Sequence, residues 1–419
     1  MTSQAAVTAF DVAVVGAGAA GQMAAIAAAA EGRRVVLLEQ MDRAGLKILA
    51  SGGGRCNLTN LAEPEAFYEA FGRQGRFATA AIEAMGPPAL RGLMDRLGVP
   101  TVVTNGVHVY PASQRSADVQ AALHRRIDRL GVTLCLGREV RRLWIDSGRL
   151  MGVELSRRQP VAAERVVLAC GGKSWSKLGG TGGGYCLARQ AGHAICEPVP
   201  ALVPLITRER WPAALAGVSL KRARVWIDLP GQAKAGLTGD VLLTHNGLSG
   251  PAVLDISGSV SRLLGRGSVP LRIELVAGVD AARWVQGLEG WRSSAGRRTV
   301  GSLLQQHLPR SLCEVLCDMA GLDRRTTAAH LPAAGRDALA GLLGELKLTV
   351  TATEGFDVAF VTRGGVKLQG LNPDTLASRL LPGLYLAGEM LDMDGPSGGF
   401  NLQWAFASGY LAGRSAGLR

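Results

Sequence analysis

The sequence predicts an α/β protein in which one parallel sheet is assembled from both ends of the chain around a separate insertion. Three observations carry this. Residues 10–39 read as strand, glycine turn, helix and strand; the sheet pattern returns at Phe356 and runs into a glycine loop and a terminal helix; and the stretch between about Glu197 and Thr353 has a different character, short strands followed by short helices. At 419 residues there is room for two or three domains and a sizeable core. Hydrophobic residues at 47% and charged residues at 19% exclude a disordered chain. Glycine, 56 of 419, is close to twice its average share of about 7%. Many backbone positions are therefore expected to be tight or left-handed.

The first unit begins with the β-type run Phe10–Val15, followed by Gly16-Ala-Gly-Ala-Ala-Gly21, a helix of small residues to about Ala30, and a strand from Arg34 to Leu38 that ends at Glu39. In such a unit the first glycine permits the turn, the second lets a pyrophosphate approach the backbone, and the third lets helix and strand pack closely. The helix N-terminus offers free N–H groups and the positive end of its dipole. Glu39 lies 18 residues beyond Gly21, where an acid accepts hydrogen bonds from an adenosine ribose. Together these features predict dinucleotide binding.

Residues 45–60 follow as a polar, glycine-rich block without periodicity. Its three consecutive glycines let a bulky ligand approach, and Arg55, Asn57 and Thr59 supply donors beside it. Gly131–Ile145 reads as a β-rich run, and Val166–Gly172 as an apolar strand of the same sheet ending in two glycines. The Gly179–Gly184 loop reads as a connection or a phosphate cradle. Strand-like runs at 202–207, 222–229, 240–244 and 271–275 suggest a compact β module with little helical pattern; residues 280–345 read as short helices at 302–308, 311–319 and 336–346. A strand is expected at 358–361, another from Gly383 running into Glu389, and the Gly395–Gly399 loop opens the last helix, offering a second N-terminus to an anion.

The formal charge is +12, from 46 basic and 34 acidic residues, and arginine dominates with 39 of the 46. The arginines fall in scattered pairs rather than a run, which fits small anionic ligands or base composition and gives no RNA-reading motif. Seven cysteines, widely spaced and without a CxxC pair, argue against a disulfide framework, a zinc site or a dithiol centre. Met1–Phe10 carries no export-signal pattern, so a cytoplasmic location is expected. The apolar stretch 12–30 has membrane length, but its alanine and glycine composition and internal glycine loop favour a soluble unit.

Several blocks recur as a set: Ser51-Gly-Gly-Gly-Arg-Cys-Asn-Leu-Thr-Asn60, Ala169-Cys-Gly-Gly-Lys-Ser174, Thr244-His-Asn-Gly-Leu-Ser-Gly-Pro251, Thr362-Arg-Gly-Gly-Val366, and Gly388-Glu-Met-Leu-Asp-Met-Asp-Gly395 through Gly399-Phe-Asn-Leu-Gln-Trp404. In this order the chain resembles the BaiN-like (YhiN or HI-type) NAD(P)/FAD-dependent oxidoreductases, a branch of the two-dinucleotide-binding-domain flavoproteins. The resemblance implies a Rossmann-like FAD-binding domain built from both chain ends, residues 1–196 and 356–419, with an inserted β-barrel module at 197–278, a small helical module at 279–346 and a return strand at 347–355. It implies that Gly16, Gly18, Ala19, Ala20 and Gly21 meet the pyrophosphate, that Glu39 and Gln40 serve the adenosine, and that Val140 meets the adenine through its backbone. Lys47, Ser51, Gly53, Gly54, Arg55, Cys56 and Asn57 would lie along the flavin and ribitol, with Ala169, Gly171 and Gly172 at the end of the neighbouring strand. Gly388, Glu389 and Asp394 would face the ribitol and diphosphate. Gly399, Phe400, Asn401 and Leu402 would bring backbone N–H groups to the flavin, where negative charge develops on reduction. The chain departs from the family pattern at Leu46, where a basic residue is usual, at Cys170, in place of a hydroxyl residue, and at Gly182-Gly183-Gly184, in place of Gly-Asp-Gly.

Candidates for catalysis are Lys47 and Arg55, as substrate-orienting or flavin-tuning cations; Cys56, as a nucleophile or shuttle against a packed thiol; and His245, as acid or base against a hydrogen-bonded structural histidine. No metal is implied. The reaction class is hydride transfer through FAD to or from a small molecule, with NADH or NADPH as a transient donor bound in a cleft, since no second nucleotide fold is present. Reduction of an activated C=C bond, amine oxidation with oxygen, RNA modification and flavin binding without turnover are the alternatives. A small-molecule oxidoreductase leads over RNA modification and flavin binding without turnover, because the motifs surround a flavin; the family does not fix the substrate.

Overall fold

The computed structural model describes residues 9–156 and 159–418, and the chain divides into two units, one from the residues up to Val199 with those from Val361 onward, the other Pro200–Phe360. In the first unit, β1 (Ala9–Val15) and β2 (Val35–Leu38) pair in parallel, Val14 opposite Leu37, with α1 (Ala19–Ala30) between them. Strand Pro160–Leu168 pairs in parallel with the other side of β1, Val14 opposite Val167. The short strand Leu384–Leu386, from the far end of the chain, then adds in parallel to the last residues of Pro160–Leu168, Tyr385 opposite Val167. β1, β2 and Leu384–Leu386 are largely buried, as strands inside a covered parallel sheet require, and α1 and the terminal helix pack against this sheet.

The β-rich run predicted over 131–145 is two strands at opposite edges of this sheet. Thr133–Cys135 pairs with β2, whereas Val140–Asp146 pairs antiparallel with Arg149–Leu155 beyond Pro160–Leu168. The break is physical: Gly137, at φ 64°, turns the chain so that residues 136–139 cross the ends of the strands. There the N–H of Arg138 donates to Glu39 O (2.7 Å) and that of Gly137 to Met41 O (2.9 Å).

The apolar stretch 12–30 is divided between β1 and the 12-residue helix α1, and the composition of α1 is explained by its partner. α1 is buried all round, and the terminal helix Phe400–Gly417 lies against it. An added Cβ on Gly409 would sit 2.2 Å from Ala20 O, and one on Gly413 2.1 Å from Ala24 O. Small residues four apart on both helices let the backbones touch, and larger side chains on either would separate them. No helix of the described residues is long and apolar enough to cross a membrane.

The boundary between units falls at Val199/Pro200 and Phe360/Val361 rather than at 196/197 and 355/356, because strands Ile195–Ala201 and Val361–Val366 pair with each other. The strand expected at 358–361 begins only at Val361 and runs through Gly364 and Gly365, whose added Cβ atoms would lie 2.5 Å from Glu197 O and Met390 O. In the second unit, Leu205–Thr207, Gly247–Ser249, Leu237–Leu243, Ser219–Ile227, Val269–Glu274 and Leu346–Thr353 form a closed barrel in that spatial order. Leu346–Thr353 is thus a barrel stave, closing it against Val269–Glu274 and Leu205–Thr207. The barrel region also holds a 14-residue helix, Pro251–Leu264, where little helical pattern was expected; Pro at its first position and the buried series Val253, Ile256, Ser257, Val260 mark it. Helices Ala281–Ser294, Val300–Leu304, Arg310–Met319 and Ala333–Gly344 follow, and their Trp284, Leu304, Leu312 and Leu339 share one apolar core with the barrel's Leu271 and Leu348.

Candidate functional site

The site is built in the first unit, where four separate stretches of chain converge at the C-terminal ends of the parallel strands. The glycine turn comes first. Gly16, at φ 98°, would carry a Cβ 2.5 Å from Ala169 O, and a Cβ on Gly21 would stand 1.7 Å from Gly16 O, so both glycines are demanded by protein atoms. Gly18 differs: a Cβ there would meet nothing within 4 Å. This is the geometry of a turn closed onto the sheet yet open on the side where α1 begins, with Ala19 and Ala20 in its first turn. Gly388, from the far end of the chain, approaches the same place, for a Cβ on it would lie 2.8 Å from the Ala20 methyl. The Ser408 hydroxyl accepts from Gly388 N (2.9 Å), and Trp404 Nε1 donates to Gly388 O (3.3 Å).

Glu39 is buried at the end of β2, where its carboxylate accepts from Ala17 N (2.7 Å) and Met41 N (2.9 Å). One lone pair on each oxygen is thereby used and one remains. Gln40 donates to Gly179 O (2.9 Å). Val140 opens its strand two residues beyond Arg138, the residue bonded to Glu39 O.

The second stretch is residues 45–57. Leu46–Ala50 forms a short helix, and Gly52, Gly53 and Gly54 follow at φ 57°, 66° and 83°. Lys47 Nζ donates to Glu389 Oε2 (2.5 Å) and to Ser174 Oγ (2.8 Å). The Ser174 hydroxyl donates to Glu389 Oε1 (2.8 Å), which also accepts from Thr362 N (2.8 Å). The Thr362 hydroxyl in turn accepts from the N–H groups of Lys173 and Ser174. Burial pushes the Glu389 carboxyl up, but Lys47, Ser174 and Thr362 outweigh it and hold the group below the ordinary carboxylate range. Lys47 and Glu389 are therefore each other's partners at the centre of a four-part network. Gly172 is needed beside it, since a Cβ there would lie 2.3 Å from Thr362 Oγ1. Gly171, at φ 70°, meets nothing.

Cys56 is fully buried in a left-handed backbone at φ 63°, with Ser51 O accepting from its N–H (3.0 Å). Burial pushes its thiol up to about 12, so at neutral pH it is a packed thiol rather than a thiolate. Burial and Glu39 do the same to Cys170, also to about 12. Arg55 is exposed; its Nε donates to Gly52 O (3.2 Å) and its guanidinium lies 4.8 Å over the Tyr110 ring. The Asn57 amide, oriented to satisfy its neighbours, donates to Thr59 O (2.9 Å) and accepts from Gly399 N (3.2 Å).

At the last stretch, Gly399 (φ 97°) packs so tightly on Thr59 that a Cβ would sit 2.6 Å from its carbonyl carbon. The first helical bond runs from Gln403 N to Gly399 O, so the N–H groups of Phe400, Asn401 and Leu402 form the open N-terminus. The side chains of Phe400 and Asn401 point away from that open end and into the fold's own contacts. Phe400 packs 4.9 Å from Phe67 in an aromatic cluster, and Asn401 holds its own loop, donating to Gly395 O (2.9 Å) and Pro396 O (3.1 Å) and accepting from Gly395 N (2.9 Å). Asp394 is gripped by Arg363, whose Nε lies 3.1 and 2.9 Å from its two oxygens. His245 is exposed at the turn before Gly247–Ser249 in the second unit, whereas the converging residues all belong to the first. Ser174, Thr362 and Arg363 were not singled out from sequence as site residues; their signal was only their place in the Ala169–Ser174 and Thr362–Val366 motifs.

The residues fit an extended dinucleotide. The open side of Gly18, the acid with free lone pairs at the end of β2 and the second helix N-terminus lie in one unit, and Gly388 meets Ala20. No group of three or more His, Cys, Asp or Glu that could hold a metal occurs among the described residues.

Comparison with known proteins agrees. The family model described as the HI0933-like protein Rossmann domain matches residues 10–415. The chain is 36% identical over 409 residues, 97% of its length and 98% of the relative's, to a 3-dehydro-bile acid delta(4,6)-reductase of Clostridium scindens. It is 30% identical, over 96% of both chains, to a ribosomal RNA dihydrouridine synthase of Escherichia coli. Among solved structures it superposes on a 3-ketosteroid-delta4-(5alpha)-dehydrogenase of Rhodococcus jostii with TM-score 0.54 and 18% identity, covering 100% of this chain and 99% of that one, a likeness of fold. The chain belongs to the HI0933-like Rossmann-domain family.

Proposed function

We propose that the chain is an FAD-dependent oxidoreductase that reduces an activated C=C bond of a small organic substrate, with NADH or NADPH as electron donor. It is an oxidoreductase enzyme of its family. The single observation that carries the cofactor is the pair Gly18 and Gly388: one glycine open to solvent where α1 begins, the other pressed against Ala20 from the opposite end of the chain. Gly18 and the α1 N-terminus would hold the pyrophosphate, Glu39 the adenosine ribose, and the Phe400–Leu402 N–H groups the flavin edge. When bound, FAD supplies two-electron transfer. The chain's own residues bind and orient it. The Lys47–Glu389 network fixes residues 45–57 to the strand ends, and the terminal N–H groups stabilise charge that develops on reduction.

The C=C reading is supported by the relatives, whose names describe a steroid-type delta(4,6)-reductase and a dihydrouridine synthase, both reductions of a C=C bond conjugated to a carbonyl. The higher identity favours the small apolar substrate. The ribosomal RNA relative, at 30% over nearly the whole chain, favours the second reading, a reductase of uridine in RNA.

The test is an absorbance spectrum of the purified protein, then anaerobic NADPH or NADH, then acceptor. Flavin bands that bleach with one donor and return with a 3-oxo-4-ene steroid acid support the first reading. Return only with ribosomal RNA supports the second, and absence of flavin after reconstitution overturns both.

A further inference from the structure

One face of a small sheet carries chemistry that the cofactor-holding residues do not use. Strands Thr59–Asn60, His108–Pro111 and Thr101–Thr104 form this sheet, in that order. Asn60 stands opposite His108, Thr104 opposite His108, and Val102 opposite Tyr110. Strand alternation therefore places Asn60, Val102, Thr104, His108 and Tyr110 on one face, while Val109 turns to the other and is wholly buried.

Both ends of that face abut the glycine segments described above. At one end His108 is half-buried and its imidazole has no hydrogen-bond partner among the described residues; its Nε2 lies 3.0 Å from where a Cβ on Gly398 would stand, beside the open N-terminus of the terminal helix. Asn60 Nδ2 donates to Gly398 O (3.1 Å) and secures that contact. At the other end a Cβ on Gly52 would stand 3.4 Å from the Tyr110 ring, and Arg55 lies across the ring with its Nε held by Gly52 O. Arg55 has no carboxylate partner among the described residues. Val102 is exposed on the neighbouring strand, opposite Tyr110. An imidazole, an exposed valine and a pre-positioned guanidinium thus share one face of the sheet.

We propose that this face binds the substrate of the reaction proposed above, with Arg55 recognising a carboxylate on an otherwise apolar molecule and His108 donating the proton that completes the reduction. The reading rests on that reaction. The C=C bond gains a hydride at one carbon, its two electrons originating in NAD(P)H, and a proton at the other. The imidazolium N–H bond breaks as the new C–H bond forms, and the neutral imidazole recovers its proton from solvent. Held over the Tyr110 ring, the guanidinium keeps its outer N–H groups for a planar carboxylate, which a lysine at this position would not match.

The experiment uses the FAD-reconstituted full chain and two probes, a 3-oxo-4-ene steroid with a side-chain carboxylate and 4-androstene-3,17-dione, which lacks it. R55Q is expected to weaken binding of the acid about tenfold while changing the dione less than about twofold. H108Q is expected to lower kcat for the acid about 100-fold, with KM, flavin content and the rate of anaerobic bleaching by NADPH unchanged. Thermal midpoints of both variants, matched to the parent, exclude a folding effect. Equal weakening of both probes by R55Q, or H108Q turnover within about threefold of the parent, overturns the assignment. A parent that binds the acid but never reduces it overturns the reductase reading alone, and the R55Q comparison still judges the face. A parent that binds neither probe overturns the face.

Discussion

In the glycine turn after β1, a Cβ on Gly21 would lie 1.7 Å from Gly16 O and one on Gly16 2.5 Å from Ala169 O, while in the run before Arg55 the Cβ atoms of Gly53 and Gly54 would meet nothing. The first region needs glycine because protein atoms occupy the space. The second needs it because the backbone is left-handed, at φ 66° and 83°. Similar glycine clusters in sequence thus mark a rigid clamp in one place and a backbone-shaped rim in the other. The clamp is held by the sheet and the terminal helix; the rim is held at its start by Lys47 and at its end by Asn57.

The sharpest way to break this contrast is Gly21→Ala, which should cost on the order of 4 kcal/mol or prevent folding, since the obstructing atom is backbone in a closed turn. Chemical denaturation would read it, and a loss below about 1 kcal/mol would remove the clamp from the comparison. Gly53→Ala, made in parallel, should cost only about 1–2 kcal/mol, the left-handed penalty alone.

Glu389→Gln should follow Gly21→Ala in size at about 3 kcal/mol, because it leaves Lys47 without its carboxylate partner in a half-buried site. Its sign with pH is fixed. The folded Glu389 carboxyl titrates below its unfolded value of 4.5, so its stabilisation is fully present above that value and is lost as pH falls through the lower folded one. Denaturation midpoints between pH 7 and pH 3 should therefore fall more steeply for the parent than for the Gln variant, and parallel slopes would break the assignment.

Gly18→Ala tests the side of the clamp that no protein atom fills. Its folding stability should change by about 1 kcal/mol or less, while FAD retention on desalting should drop about tenfold. Full retention would place the phosphates elsewhere. The smallest effect expected is none: near pH 7.5 iodoacetamide should label the exposed Cys186 and leave Cys56 unmodified in the native protein, with mass spectrometry as the readout.

The glycine turn was legible because its constraints act over neighbouring residues. Strand, turn, helix and acid lie within the 30 residues from Phe10 to Glu39, and each constraint shows in residue type. Cys56 and Phe400 show the opposite case: how completely the thiol is buried and which ring Phe400 packs on depend on neighbours brought together only by the fold, Phe67 being 333 positions from Phe400. The same holds for the 131–145 run, where a left-handed Gly137 sends two strands to opposite sheet edges.

By itself, then, the sequence determined the dinucleotide-type turn, the return of the sheet at the far end of the chain and the separate character of its middle, because hydrophobic period and glycine spacing are local quantities. Only the tertiary structure decided that Lys47 belongs to Glu389, that Arg363 belongs to Asp394, and that His108 and Arg55 border one face. Those pairings join residues 31 to 342 positions apart, or in the last case depend on which way a strand's side chains alternate. Charge pairing has no period in sequence; it exists only once the sheet has brought its partners within a hydrogen bond of each other.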